Sequence, residues 1–184
     1  MRNRRTLIMA EVSMMTAAAI ILDLLTFLRF WPQGGSVSLA MVPVLLIAFR
    51  RGWKVGLVTG FLYGIGNMIY NPFIVHWLQA LLDYPLAFML LGLAGTVPIF
   101  KQSAKWMTAL WLIIGTFFAA ALRFAAHFTA GVVWFGDFAP EGTPVAVYTF
   151  FYNLSYILPS AAVSAAVLIL LYYAAPRLFT PDSR

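Results

Sequence analysis

The chain has 184 residues, 62% of them hydrophobic and only 10% charged, with a formal net charge of +6. So apolar a composition excludes an ordinary soluble domain, and continuous apolar runs exclude a transmembrane β-barrel, which alternates in segments of about ten residues. There is no cysteine, so disulfides and thiolate chemistry are both absent.

The pattern predicts an all-α, polytopic membrane protein: a single domain over residues 1–184 with six spans near 7–30, 39–49, 55–70, 77–100, 107–134 and 145–174. The first apolar run follows Arg2, Arg4 and Arg5. Glu11 interrupts it and it continues well past the length of a secretory signal, so it reads as a retained span. Trp31-Pro32-Gln33-Gly34-Gly35-Ser36 breaks that helix. The second run, Leu39 to Phe49, is short and holds Pro43, which predicts a short or kinked helix.

Gly52, Gly56, Gly60 and Gly64 recur every four residues at the third span. That spacing puts them on one side, where a neighbouring helix can approach closely; a part in a substrate path is the minor reading. Asn71-Pro72 marks a turn, the fourth span carries Asp83, and the sixth is expected to kink near Pro159.

Six spans put both termini on one side. Arg2, Arg4, Arg5, Arg50, Arg51, Lys54, Lys101, Lys105, Arg177 and Arg184 all fall there, ten of the twelve basic residues. The positive-inside rule makes that side cytoplasmic. Trp31, Trp77 and Trp134 then mark the outer interface, and Trp53 and Trp106 the inner one. The basic excess is topology and does not point to nucleic acid.

Arg123, His127 and Gly131 share one helical stripe. A cation, an imidazole and a missing side chain make a poor lipid face, so the stripe is expected to turn inward. Asp83 lies roughly 9 Å below Trp77, His127 roughly 10 Å below Trp134 and Asn153 roughly 13 Å inside Pro144, at about 1.5 Å per residue. Three helices thus bring a carboxylate, an imidazole and an amide to one depth, with Tyr148 above. One reading is a structural network in which Asp83 pairs with Arg123 or His127. The other is an outward-facing ligand site ringed by Trp31, Phe73, Tyr84, Trp134, Phe135 and Tyr148, whose rings suit a flat or cationic ligand.

Glu11 is expected to be solvated, Asp23 to pair with Arg29, and His76 to be exposed in an outer loop. No metal-ligand spacing, no hydrolytic triad on one element and no Gly-rich phosphate loop is present in the sequence, so neither a metal nor a cofactor is expected.

Five motifs, in order along nearly the whole chain, carry a resemblance. They are Gly34-Gly35-Ser36-Val37-Ser38-Leu39; Ala48-Phe49-Arg50-Arg51-Gly52; Leu81-Leu82-Asp83-Tyr84-Pro85-Leu86-Ala87-Phe88 with Gly92-Leu93-Ala94-Gly95; His127-Phe128-Thr129-Ala130-Gly131-Val132; and Tyr152-Asn153-Leu154-Ser155-Tyr156-Ile157-Leu158-Pro159. The chain resembles the thiamine-specific substrate-binding subunits (S-components, ThiT/YuaJ type) of energy-coupling factor transporters.

The resemblance implies a six-helix subunit of a bacterial plasma membrane that binds thiamine at its outer face. It implies delivery through a transmembrane coupling subunit and two ATP-binding subunits. It gives Asp83 the aminopyrimidine, with Tyr84 beside it, and places His127, Gly131, Tyr148 and Asn153 in the pocket, with Trp31 as the outer-loop aromatic. Family members often have a tryptophan eight residues after the histidine. Phe135 stands there and Trp134 precedes it, so either is a candidate stacking partner. For docking the coupling subunit, the small pair Ser13 and Ala17 stands where such subunits commonly show two alanines. An S-component for another vitamin or a thiamine precursor, and a small intramembrane enzyme using Asp83 and His127 as acid and base, are the alternatives.

Overall fold

The computed structural model describes residues 4–26, 31–32, 34–98 and 104–180. Expectations involving Arg2, Arg29, Phe30, Gln33, Phe100, Lys101, Pro181 and Arg184 lie outside the described residues. Six helical segments follow one another, with no strand among the described residues. They are α1 (Arg4–Leu24), α2 (Met41–Arg51), α3 (Trp53–Tyr70), α4 (Trp77–Thr96), α5 (Lys105–Trp134) and α6 (Val145–Ala174). Of these, α1, α4, α5 and α6 are long and apolar enough to cross a membrane.

The short second run forms the centre of the fold. Every residue from Met41 to Phe49 is buried, and α2 packs against α1, α3, α4 and α6. Eleven residues rise about 16 Å, roughly half a bilayer's hydrocarbon thickness. A helix enclosed on all sides needs apolar residues on all sides, which is what this run supplies. Pro43 falls in the first turn, where backbone N–H groups lack helical partners anyway, so it opens the helix without interrupting it.

A single residue, Gly52, separates α2 from α3. Its φ of +87° is one that L side chains rarely adopt, so this glycine makes the turn and does not share the packing face. Gly56, Gly60 and Gly64 do form that face. A Cβ on Gly60 would stand 2.1 Å from the Phe88 carbonyl oxygen, and one on Gly64 would stand 2.5 Å from that of Tyr84. The backbones of α3 and α4 therefore touch, and this contact presents the middle of α4 to the interior.

That middle is not plain α-helix. Pro85 has no N–H to give, and Leu82–Leu86 opens into a π turn in which Ala87 donates to the Leu82 carbonyl five residues back. Leu91–Thr96 then tightens to a 3-10 helix. By contrast α6 runs unbroken through Pro159.

In α5 the usual pattern of a soluble helix is inverted. Thr108, Thr116, Arg123 and His127 are buried along one stripe, while Leu110, Ile113, Ile114, Phe117 and Phe118 are exposed. Such a helix needs an apolar solvent. At one end of the fold Glu11 pairs with Arg51 at 2.6 Å and Arg50 at 3.3 Å. It is held there, not solvated, because two guanidiniums from the α2 terminus converge on it. Arg50 Nη1 also donates to the carbonyls of Arg177, Leu178 and Thr180, tying α1, α2 and the C-terminal turn together.

Candidate functional site

A cleft opens between α1, α3, α4, α5 and α6, with about 820 Å³ of atom-free space in and over it, open solvent included.

Asp83 is the most tightly arranged group in it. The π turn carries Asp83, and Gln79, one α-helical turn earlier, donates from Nε2 to its Oδ2 at 2.7 Å. Gln79 is itself 1% exposed and fixed by the loop before α4, donating to the Phe73 carbonyl and accepting from the Val75 N–H, each at 3.1 Å. His127 Nδ1 stands 2.8 Å from the other oxygen, Oδ1.

Arg123 Nε donates to His127 Nε2 at 3.3 Å. A nitrogen that accepts cannot carry the proton, so the neutral imidazole is protonated on Nδ1 and donates to Asp83. The arginine thus reaches the carboxylate through the imidazole. Its guanidinium lies 4.5 Å over the Phe88 ring, a cation–π contact that occupies its charge away from the cleft centre.

The other walls are equally fixed. Tyr84 accepts from the Phe73 N–H at 2.6 Å and donates to the Asn71 carbonyl at 3.1 Å, pinning the α3–α4 loop. Asn153 donates to the Thr149 carbonyl at 2.9 Å and accepts from the Tyr156 hydroxyl at 2.7 Å. Tyr148 packs on Tyr152 at 5.6 Å. A Cβ on Gly131 would sit 2.2 Å from Thr149 Cγ2, so its absence is what lets α5 and α6 close on each other here. Phe135 packs with Phe73 at 5.9 Å and Phe138 at 6.0 Å.

Phe73, Asp83, Tyr84, His127, Gly131, Phe135, Tyr148 and Asn153 therefore line one cleft. Trp31 and Trp134 stand outside that lining. Trp31 donates to Ser155 Oγ at 2.6 Å and meets Tyr156 edge-on at 5.7 Å. Trp134 stacks on His76 at 5.2 Å and 17°. His76 in turn caps α4 by accepting the Leu78 N–H at 3.2 Å, so it has a structural task beyond the exposed one expected.

Gln79, Tyr156 and Asp23 also line the cleft, where the sequence did not place them. The spacing of Gln79 to Asp83, four residues, was the available signal. Asp23 is 2% exposed and accepts from Asn67 Nδ2 at 2.9 Å and the Tyr70 hydroxyl at 2.8 Å. The Arg29 expected beside it lies outside the described residues.

Residues 9–180 match the profile of the family described as thiamine transporter protein (Thia_YuaJ). The chain belongs to that family. As a thiamine transporter family protein it is a multi-pass protein of a bacterial plasma membrane, and its family is one of transporters, not of enzymes. It is 42% identical to thiamine transporter ThiT of Bacillus subtilis (strain 168), over 98% of each chain. It is 30% identical to thiamine transporter ThiT of Lacticaseibacillus paracasei, over 97% of this chain and 92% of the relative. The solved structure of ThiT from Listeria monocytogenes superposes with a TM-score of 0.86 at 25% identity, covering 97% of this chain and 100% of that one. A structure described as the S component of a bacterial ECF transporter shares the fold, with a TM-score of 0.66 at 20% identity over 95% and 98% of the two chains.

Proposed function

We propose that this chain is the high-affinity thiamine-binding subunit of an ATP-driven energy-coupling factor importer, capturing thiamine at the outer face of the membrane. The observation that carries the reading is the arrangement of Asp83. Gln79 and His127 hold both its oxygens at the wall of an aromatic cleft, in a family of thiamine transporters. A carboxylate so oriented accepts from the exocyclic amine of an aminopyrimidine, and a charged acceptor makes that bond stronger than a neutral one would. Asn153 and Tyr148 face the same space from α6. Phe135 and Tyr148 offer faces to a flat, positively charged ring, which aromatic quadrupoles attract. Trp31 packs on the cleft-lining Tyr156, and Trp134 on His76, the cap of α4.

Release to the cell would require a transmembrane coupling subunit and two ATP-binding subunits, since no Gly-rich phosphate loop is present in this sequence. Both termini face the cytoplasm in this reading, which the basic residues near the ends of α1, α2 and α6 support through the positive-inside rule.

The test is titration of the purified protein in detergent with thiamine and a panel of other vitamins, by calorimetry and tryptophan quenching, without ATP or partner. Saturable binding of thiamine ahead of the panel is expected. Tighter binding of riboflavin or biotin would transfer the role to another vitamin, and absence of saturable heat with thiamine would overturn it.

A further inference from the structure

Tyr156 joins the two walls of the cleft that α5 and α6 supply. Its hydroxyl donates to Asn153 Oδ1 at 2.7 Å, one turn earlier on α6, and its ring meets His127 edge-on at 6.1 Å. The side chain is 3% exposed. Trp31 at 5.7 Å and Tyr152 at 6.2 Å fix the ring from other sides, both edge-on. Gly35 lies directly against it: a Cβ there would stand 2.8 Å from Tyr156 Cδ1. A phenyl ring without the hydroxyl would keep all these contacts.

The hydroxyl acts on an amide. The two ends of an asparagine carboxamide have nearly the same shape and opposite hydrogen-bonding character. In Asn153 each end is assigned by a neighbour. The Thr149 carbonyl, which can only accept, takes one N–H of Nδ2 at 2.9 Å, and Tyr156 donates to Oδ1. One N–H and one oxygen lone pair of a cleft-lining side chain are left for a ligand. The ring nitrogens of an aminopyrimidine accept hydrogen bonds, so the end of Asn153 they require is the N–H.

We propose that Tyr156 is a positioning residue for ligand binding: it holds Asn153 Oδ1 back so that the remaining N–H meets a ring nitrogen of the aminopyrimidine. The proposal rests on the thiamine reading above and extends it to a residue that acts through another. An amide already fixed at both ends loses little freedom when the ligand arrives, and that smaller ordering cost appears as affinity.

The experiment is a double-mutant cycle. Thiamine affinity is measured by calorimetry in wild type, Tyr156→Phe, Asn153→Ala and the double variant, with melting in detergent showing that each is folded. Tyr156→Phe is expected to lower affinity about threefold to tenfold, and Asn153→Ala about tenfold. In the Asn153→Ala background, adding Tyr156→Phe should change affinity by less than about twofold, because no amide remains to be held. Losses that multiply independently overturn the proposal and leave Tyr156 a packing residue, and the thiamine reading then stands. Undiminished affinity in folded Tyr156→Phe or folded Asn153→Ala overturns it in the same way. Should Tyr156→Phe not fold, 3-fluorotyrosine at position 156 takes its place, keeping the ring and making the hydroxyl a stronger donor. The affinity change it causes should vanish in Asn153→Ala; a change that persists there, or none at all, overturns the proposal. A wild type that does not bind thiamine overturns the thiamine reading itself and this proposal with it.

Discussion

Gln79 donates to Asp83 across a single turn of α4 at 2.7 Å while also bonding Phe73 and Val75. The orientation of the carboxylate is thereby coupled to the loop at the cleft's edge. Replacing Gln79 by Ala removes that donor and leaves loop backbone groups unpaired, at about 1–3 kcal/mol for each buried group orphaned. Thiamine affinity is expected to fall about tenfold by calorimetry. Gln79→Glu is expected to fall further, because a carboxylate then faces Asp83 where a donor stood.

Arg123 reaches the Asp83 carboxylate through His127. In Arg123→Met the imidazole loses the donor at Nε2, while the Asp83 carboxylate still holds the proton on Nδ1. The Nε2 chemical shift should move as its hydrogen-bond donor is lost, while the Nδ1 shift stays that of a protonated ring nitrogen. Thiamine affinity should fall about threefold to tenfold, as for loss of a partner that orients a binding histidine.

Gly60 and Gly66 make opposite predictions. A methyl group at Gly60 meets the Phe88 carbonyl at 2.1 Å, and α4 must shift to admit it. Gly60→Ala is expected to destabilise by about 1–3 kcal/mol, read as a lower melting temperature in detergent, and to weaken thiamine binding because Asp83 rides on α4. At Gly66 the nearest atom is the Cδ1 of Ile20, the mobile end of a side chain. Gly66→Ala should be neutral or slightly stabilising, by up to about 1 kcal/mol.

Phe135 and Trp134 separate the two candidate stacking partners. Phe135 lines the cleft and Trp134 stacks on His76. Phe135→Ala should weaken thiamine about tenfold, from the loss of an aromatic face and its buried area. Trp134→Ala should change affinity less than about threefold, because its ring acts on the α4 cap and not on the ligand. Calorimetric titration of both variants decides between them.

Much of this arrangement was legible beforehand because membrane helices obey simple depth and face rules. Asp83, His127 and Asn153 could be placed at one level by counting residues from interfacial landmarks, and the stripe through Arg123 and Gly131 identified the inward face of α5. What escaped depended on groups whose chemistry is ordinary in isolation. Gln79 is an unremarkable amide until Asp83 is seen one turn away. The π turn follows from Pro85, but a span reads as plain helix unless the lost N–H is followed to the carbonyl it strands. The place of Asp23 in the cleft wall was not foreseen because Asn67 and Tyr70, which bond it, are more than forty residues distant in sequence. Gly52 shared the spacing of the packing glycines, and only its positive φ separates turn from face.

The central claim is that Asp83, held by Gln79 and His127, is the group that binds thiamine. Calorimetric titration of thiamine into wild type and Asp83→Ala tests it directly. Loss of a charge-assisted bond in a buried site predicts an affinity lower by about a hundredfold or more, with the variant still folded. Undiminished affinity in folded Asp83→Ala would contradict the account.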